Sequence, residues 1–172
     1  MITKVITPES SVNETINHFR DILKSHYIEI DHIEYDRPWG GEIWVKNSFT
    51  KQFQSIYFSD TQFVSDDLQG PATPKLLIVK PGGRLSWQYH KRRQEIWRVV
   101  QGPIGTIMSD SNTMTDPSIF TSGSIIQIGI EMRHRLIGLD NWGVVAEIWK
   151  HNDPANISNE DDIIRLQDDY GR

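Results

Sequence analysis

The chain has 172 residues, 37% of them hydrophobic and 24% charged, with a net charge of −5. That size and balance suit one soluble domain with a substantial core, and the acidic charge argues against a nucleic-acid partner, which asks for a basic face. No cysteine is present, which excludes disulfides and thiolate metal ligands and fits a reducing compartment.

The opening Met1-Ile2-Thr3-Lys4 lacks an apolar leader, and no stretch reaches the ~18 apolar residues of a membrane span, so a cytoplasmic location is the expectation. Ser11-Val12-Asn13-Glu14 then reads as a capping box, and Ile16, Phe19, Ile22 and Leu23 recur at helical spacing. This predicts one helix that fades near Ser25-His26, a lid packed against something larger. Beyond it the period changes to two. Strands are expected at Tyr27 to Ile30, Glu42 to Val45, Ser55 to Phe58, Lys75 to Val79, Leu85 to His90, Glu95 to Val100, Ile104 to Met108, Ser124 to Ile128, His134 to Leu139 and Val144 to Trp149. Turn signals such as Pro81-Gly82-Gly83 and Asn141-Trp142-Gly143 separate them, and many short punctuated strands mean a sandwich or barrel. Asp60 to Pro74 reads as a long polar loop, and the acidic tail from Asn152 carries a short helical turn around Asp161 to Leu166. The expected organisation is a single all-β domain, with a helical extension over 1–32 and a barrel with its tail over 33–172.

Gln88, His90 and Arg92 alternate along one strand and share a face, Glu95 begins the next strand, and His134 lies well downstream. Two imidazoles, a carboxylate and a further oxygen make a set that suits a divalent metal. The same three residues, His90, Glu95 and His134, also fit a hydrogen-bonded polar cluster without metal, and Gln88 fits either a ligand or a neighbour of the ligands. The intervals resemble those of the cupin motifs. His90-Lys91-Arg92 takes the place of a His-x-His pair, with Arg92 for the second histidine; the gap to Glu95 is one residue short, and six residues separate Glu95 from Gly102. In the second motif Gly123, Gly129-Ile130-Glu131, His134 and Gly138 keep every interval, though several identities differ.

Four stretches carry a closer likeness. Pro81 to His90 resembles the PG-x-x-LSLQ-x-H strand of type II mannose-6-phosphate isomerases, and Arg93 to Gly102 is similar to their R-x-E-x-W-x-V-V-x-G. Arg37-Pro38-Trp39-Gly40 resembles their RPWG, and Glu160 to Arg172 their closing EDDIVR-x-x-D-x-YGR. The resemblance runs over residues 33–172 and implies a cupin, a double-stranded β-helix barrel. It also implies a metal-dependent aldose–ketose isomerase of a phosphorylated hexose, with mannose 6-phosphate to fructose 6-phosphate as the first candidate. Carried over by position, Gln88, His90, Glu95 and His134 are the metal ligands, zinc being the expected ion. Arg93 sits by the substrate and Arg172 closes the site or meets the phosphate. Glu147 and Lys91 are candidates by location for the proton-transfer base. Arg92 either occupies the lost ligand's place or leans out to bind phosphate. Trp97 is the aromatic to test as a sugar platform, and Trp39 suits a packed turn in the core. A homodimer is expected. The departures at Arg92 and at Glu147 to His151 keep a second function open, a non-catalytic cupin that binds a sugar or phosphate, and a third, another metal cupin reaction such as an oxygenase, ranks last.

Overall fold

The computed structural model describes residues 5–61 and 71–171. In chain order these form α1 (Val12–Ser25), β1 (Ile30–Arg37), β2 (Gly40–Val45), α2 (Thr50–Tyr57), β3 (Ala72–Val79), β4 (Trp87–Tyr89), β5 (Arg93–Gln101), β6 (Ile104–Ser109), β7 (Ser118–Phe120), β8 (Ile125–Ile128), β9 (Arg133–Gly138), β10 (Gly143–His151) and β11 (Ile164–Gln167). Two antiparallel sheets result, one ordered β1-β2-β3-β10-β5-β8 and the other β11-β4-β9-β6-β7.

Alternation along the strands builds two separate cores. On β10, Val144, Ala146 and Ile148 face outward and join Ile43, Leu76 and Ile78 beneath the helices. Val145, one step out of phase, joins Leu77, Val79, Trp97, Val99, Ile104, Ile126 and Leu136. This second cluster draws on both sheets, so they face one another and enclose a filled barrel. The all-β cupin barrel with its N-terminal helix, expected from the sequence, is what the chain forms.

The helix α1 packs Ile16, Phe19 and Leu23 into the outer core, so it covers the back of the larger sheet and not the barrel interior. Its start is set by the capping box: the Glu14 N–H donates to Ser11 Oγ at 3.2 Å and the Ser11 N–H to Glu14 Oε2 at 2.9 Å. Ser11→Ala is expected to lower stability by about 1 kcal/mol, read as a drop in the thermal midpoint.

Four local expectations are corrected. Ser55 to Phe58 is not a strand; Ser55–Tyr57 end α2, because Phe49, Phe53 and Tyr57 recur every four residues and bury one helical stripe. The loop expected over Asp60 to Pro74 ends early, since Ala72 to Pro74 already belong to β3 and pair with β10; residues 62–70 lie outside the described residues. The helical turn near Asp161 is a single 3₁₀ turn, Glu160–Asp162, followed by β11, which pairs with β4. Tyr27 to Glu29 also precede the first strand, Tyr27 standing at φ 57°. In the Arg37-Pro38-Trp39-Gly40 turn, Trp39 is buried in the barrel core, as its packed-turn reading expects. Gly40 there has φ 148°, and a Cβ would stand 2.0 Å from the Ile78 carbonyl oxygen, so the tight return from β1 to β2 needs glycine.

Candidate metal centre

The site sits on the inner face where the two sheets meet. β4 lies in the smaller sheet and β5 in the larger, so the short corner between them crosses from one to the other. That corner places His90 at the end of β4 over Glu95, the third residue of β5. From the smaller sheet, β9 sets His134 directly opposite Gln88. From the larger, β10 places Glu147 opposite both Trp97 and Lys75.

His90, Glu95 and His134 are each no more than 2% exposed. One ligand atom from each lies within 4.8 Å of the others, so this group could hold a metal ion. His90 Nε2 is 3.1 Å from Glu95 Oε1 and His134 Nε2 is 3.4 Å from Glu95 Oε2. The other ring nitrogens point at backbone carbonyls, His134 Nδ1 at Met132 (2.9 Å) and His90 Nδ1 at Asp162 (3.3 Å). A carbonyl only accepts, so each Nδ1 donates and each Nε2 is left facing Glu95. Burial pushes the His90 imidazole below its ordinary pKa, against the pull of Glu95, which favours the neutral ring. Glu95 Oε2 and His134 Nε2 are both buried with no hydrogen-bond partner. An unpartnered carboxylate oxygen facing an unpartnered ring nitrogen in a buried site suits a cation between them, and the donor set fits a divalent metal.

Arg93, also on β5, is 1% exposed. Its Nε donates to Glu95 Oε1 at 2.8 Å, one terminal nitrogen to Ser158 Oγ and the Asn159 carbonyl, and the other reaches His90 Nε2 at 3.1 Å. The guanidinium lies 3.6 Å over the Trp149 ring. Burial alone would raise the Glu95 carboxyl, but the facing His90 imidazole, the Arg93 guanidinium and the His134 imidazole outweigh it and hold the group well below the usual carboxylate range. Glu147 is the opposite case. Burial first, and then the neighbouring Glu95 charge, push it up to about 8 despite Lys75 at 3.2 Å. Trp97 Nε1 donates to Glu147 Oε1 at 2.7 Å. Lys75 in turn reaches Glu42 at 3.3 Å and lies 4.4 Å from the ring centroids of both Trp44 and Trp149. The free space beside these groups is about 40 Å³, bordered by Gln88, Glu95, Glu147 and, from the C-terminal segment, Glu160, Ile163 and Arg165.

The structure therefore brings together His90, Glu95, His134, Arg93, Glu147 and Gln88. Gln88 Oε1 accepts the Ser86 hydroxyl at 2.5 Å, beside the ligand group. Lys91 is exposed, and only its backbone N–H reaches inward, to Asp162. Arg92 leans away from the ligands and binds Asn156, the Ile157 carbonyl and Asn159. Trp97 is 1% exposed in the barrel core and borders the cavity beside the ligand group. Arg172 lies outside the described residues. Sequence reasoning missed Lys75 and Asp162. The signal for Lys75 is its phase, two residues before Leu77 and four before Val79 on the inner face of β3.

Comparison with known proteins bears on the family and the fold. The chain is 32% identical over 142 residues to the alginate biosynthesis protein AlgA of Pseudomonas aeruginosa, covering 83% of this chain and 24% of AlgA. It is 29% identical over 151 residues to a mannose-1-phosphate guanylyltransferase of Salmonella montevideo, covering 87% of this chain and 26% of that protein. The chain thus spans about a quarter of the length of these relatives. Among solved structures, a Bacillus subtilis oxalate decarboxylase variant superposes on 78% of this chain and 30% of its own, with TM-score 0.55 and 11% identity, a likeness of fold alone. Residues 47–168 match the family described as mannose-6-phosphate isomerase C-terminal, a stretch that contains every ligand candidate, and the chain belongs to that family of cupin domains.

Proposed function

We propose that this cupin is a metal-dependent aldose–ketose isomerase of a phosphorylated sugar, with mannose 6-phosphate and fructose 6-phosphate as the first pair to test. The observation that carries the metal half is the buried, unpartnered pair of Glu95 Oε2 and His134 Nε2. His90, Glu95 and His134 would hold the ion, with Gln88 as the fourth oxygen, and zinc suits the mixture of nitrogen and oxygen donors. A bound divalent ion supplies Lewis acidity at a carbonyl and hydroxyl pair, which stabilises developing oxyanion charge.

The chain's own residues supply the rest. Isomerisation moves a proton between adjacent carbons, and Glu147, buried beside Glu95, is placed to hold or release one at its carboxyl. Trp97 and Lys75 fix that carboxyl from two sides. Arg93, stacked on Trp149, orients Glu95. The exposed Glu160 and Arg165 border the free space and mark the side from which a sugar phosphate would enter.

One observation favours a second reading, a sugar-phosphate-binding cupin without turnover. Arg93 already takes acceptor positions on both His90 and Glu95. The test is turnover of zinc-loaded protein on mannose 6-phosphate and on a panel of other sugar phosphates. Isomerisation that His134→Ala abolishes, together with stoichiometric metal, is the expected result. Stabilisation by sugar phosphate without turnover selects the binding reading.

A further inference from the structure

The cavity has four cations on its border, Arg37, Lys75, Arg93 and Arg165. Three are neutralised from within. Arg37 pairs with Glu34, Glu42 and Glu160. Lys75 lies between Glu42 and Glu147. Arg93 is bound to Glu95, His90, Ser158 and Asn159. The guanidinium of Arg165 has no hydrogen bond or ion pair among the described residues, and it is exposed. Elsewhere the arginines of the smaller sheet and its border are occupied too, Arg84 and Arg135 by Asp169 and Arg133 by Asn112 and the Glu131 carbonyl.

The position of Arg165 is set by register. On β11 it stands directly opposite Gln88 of β4, and Gln88 stands opposite His134 of β9. Directly opposed residues of antiparallel strands present their side chains on one face, so the three form a row along the inner side of the smaller sheet. Two strand spacings separate the ends of that row, about 10 Å. A six-carbon chain with a terminal phosphate is of that reach. One end of such a molecule can lie at His134 and Glu95 while its anionic end meets Arg165, the border cation left uncommitted among the described residues.

We propose that Arg165 is the receptor for the phosphate monoester of the substrate, in place of Arg92, whose guanidinium is spent on the C-terminal segment. The assignment rests on the phosphorylated-sugar reading and names the residue that recognises the phosphate. A planar fork of donors matches the oxygens of a phosphate, and an exposed guanidinium on the border of the cavity is open to the anion.

The test is calorimetric titration of zinc-loaded wild-type, Arg165→Gln and Arg165→Lys protein with inorganic phosphate, a hexose 6-phosphate and the same hexose unphosphorylated. Arg165→Gln is expected to weaken both phosphate ligands by about 10- to 100-fold, the loss typical of a charge-assisted contact, with Arg165→Lys between the two. Affinity for the neutral hexose and the thermal midpoint stay at wild-type values, since the guanidinium makes no internal bond to lose. Where turnover is measured, KM rises and kcat holds. Arg165→Gln protein that keeps wild-type affinity for phosphate, or loses the neutral hexose equally, overturns the assignment and leaves the isomerase reading intact. Wild-type protein that binds the hexose but no phosphate overturns both.

Discussion

Glu95→Gln is expected to strip the purified protein of metal and to lower its unfolding free energy by about 3–5 kcal/mol, the cost of removing one partner of a buried pair. The side chain keeps its shape, so the loss is one of charge. Glu95 is the anion against which Arg93 and the rings of His90 and His134 are arranged, and all four side chains are buried. Without it the Arg93 guanidinium remains in a site closed to water, held by Ser158, Asn159 and the Trp149 face but by no opposite charge. Two measurements separate the consequences. Elemental analysis reads the metal, and chemical denaturation reads the stability. The double variant Glu95→Gln, Arg93→Met removes both charges and should recover part of the stability without recovering the metal, because the pair and the ion depend on the same carboxylate in different ways. Glu95→Gln protein with full metal and a wild-type denaturation midpoint would falsify the assignment of Glu95 to the centre.

How much of this was legible in the sequence depends on the range of the interaction. The ligand group His90, Glu95 and His134 could be found because its spacing follows from the barrel itself. A strand end, a corner and a facing strand repeat at fixed intervals whatever the residues between. The period of two also gave most of the central strands. It failed at Ser55 to Phe58, where the alternation is accidental and the stronger signal is the four-residue recurrence of Phe49, Phe53 and Tyr57. The short outer strands β7 and β11 carry too few residues for any pattern to show. The run Lys91-Arg92-Arg93 was the hardest to read. Three adjacent cations look alike in sequence, yet the corner turns Arg92 out toward the tail, while Arg93, in phase with Glu95 and Trp97 on β5, goes in. Lys75 was missed for a different reason. A lysine inside a barrel is tolerable only with partners, and its partners, Glu42 and Glu147, lie on two other strands that no local window contains.

The tail poses the same problem, and its anchor supports the last prediction. The Asp162 carboxylate accepts the backbone N–H groups of Lys91 and Arg92, at 3.1 and 3.0 Å, and the Ser158 hydroxyl at 2.8 Å. Its own carbonyl takes the Nδ1 proton of His90. One residue therefore pins the corner between β4 and β5, docks the segment that borders the cavity, and orients the ring of a candidate ligand. Asp162→Ala removes three bonds to a charged acceptor and is expected to cost about 3–5 kcal/mol. The segment over residues 152–163 should become open to protease, and metal affinity should fall by about 10- to 100-fold as His90 loses its support. Burial would raise the Asp162 carboxyl, but the Ser158 hydroxyl and the two backbone N–H groups more than offset it and hold the group below its ordinary range. A carboxylate lowered in the folded state contributes stability above its unfolded pKa and loses it as the pH falls through the folded one. The stability gap between wild type and Asp162→Asn should therefore be full at neutral pH and narrow below about pH 4. A gap that stays constant through that range, with the tail equally resistant to protease in both proteins, would show that the carboxylate's charge does not hold the segment and that the closure of the cavity has another anchor.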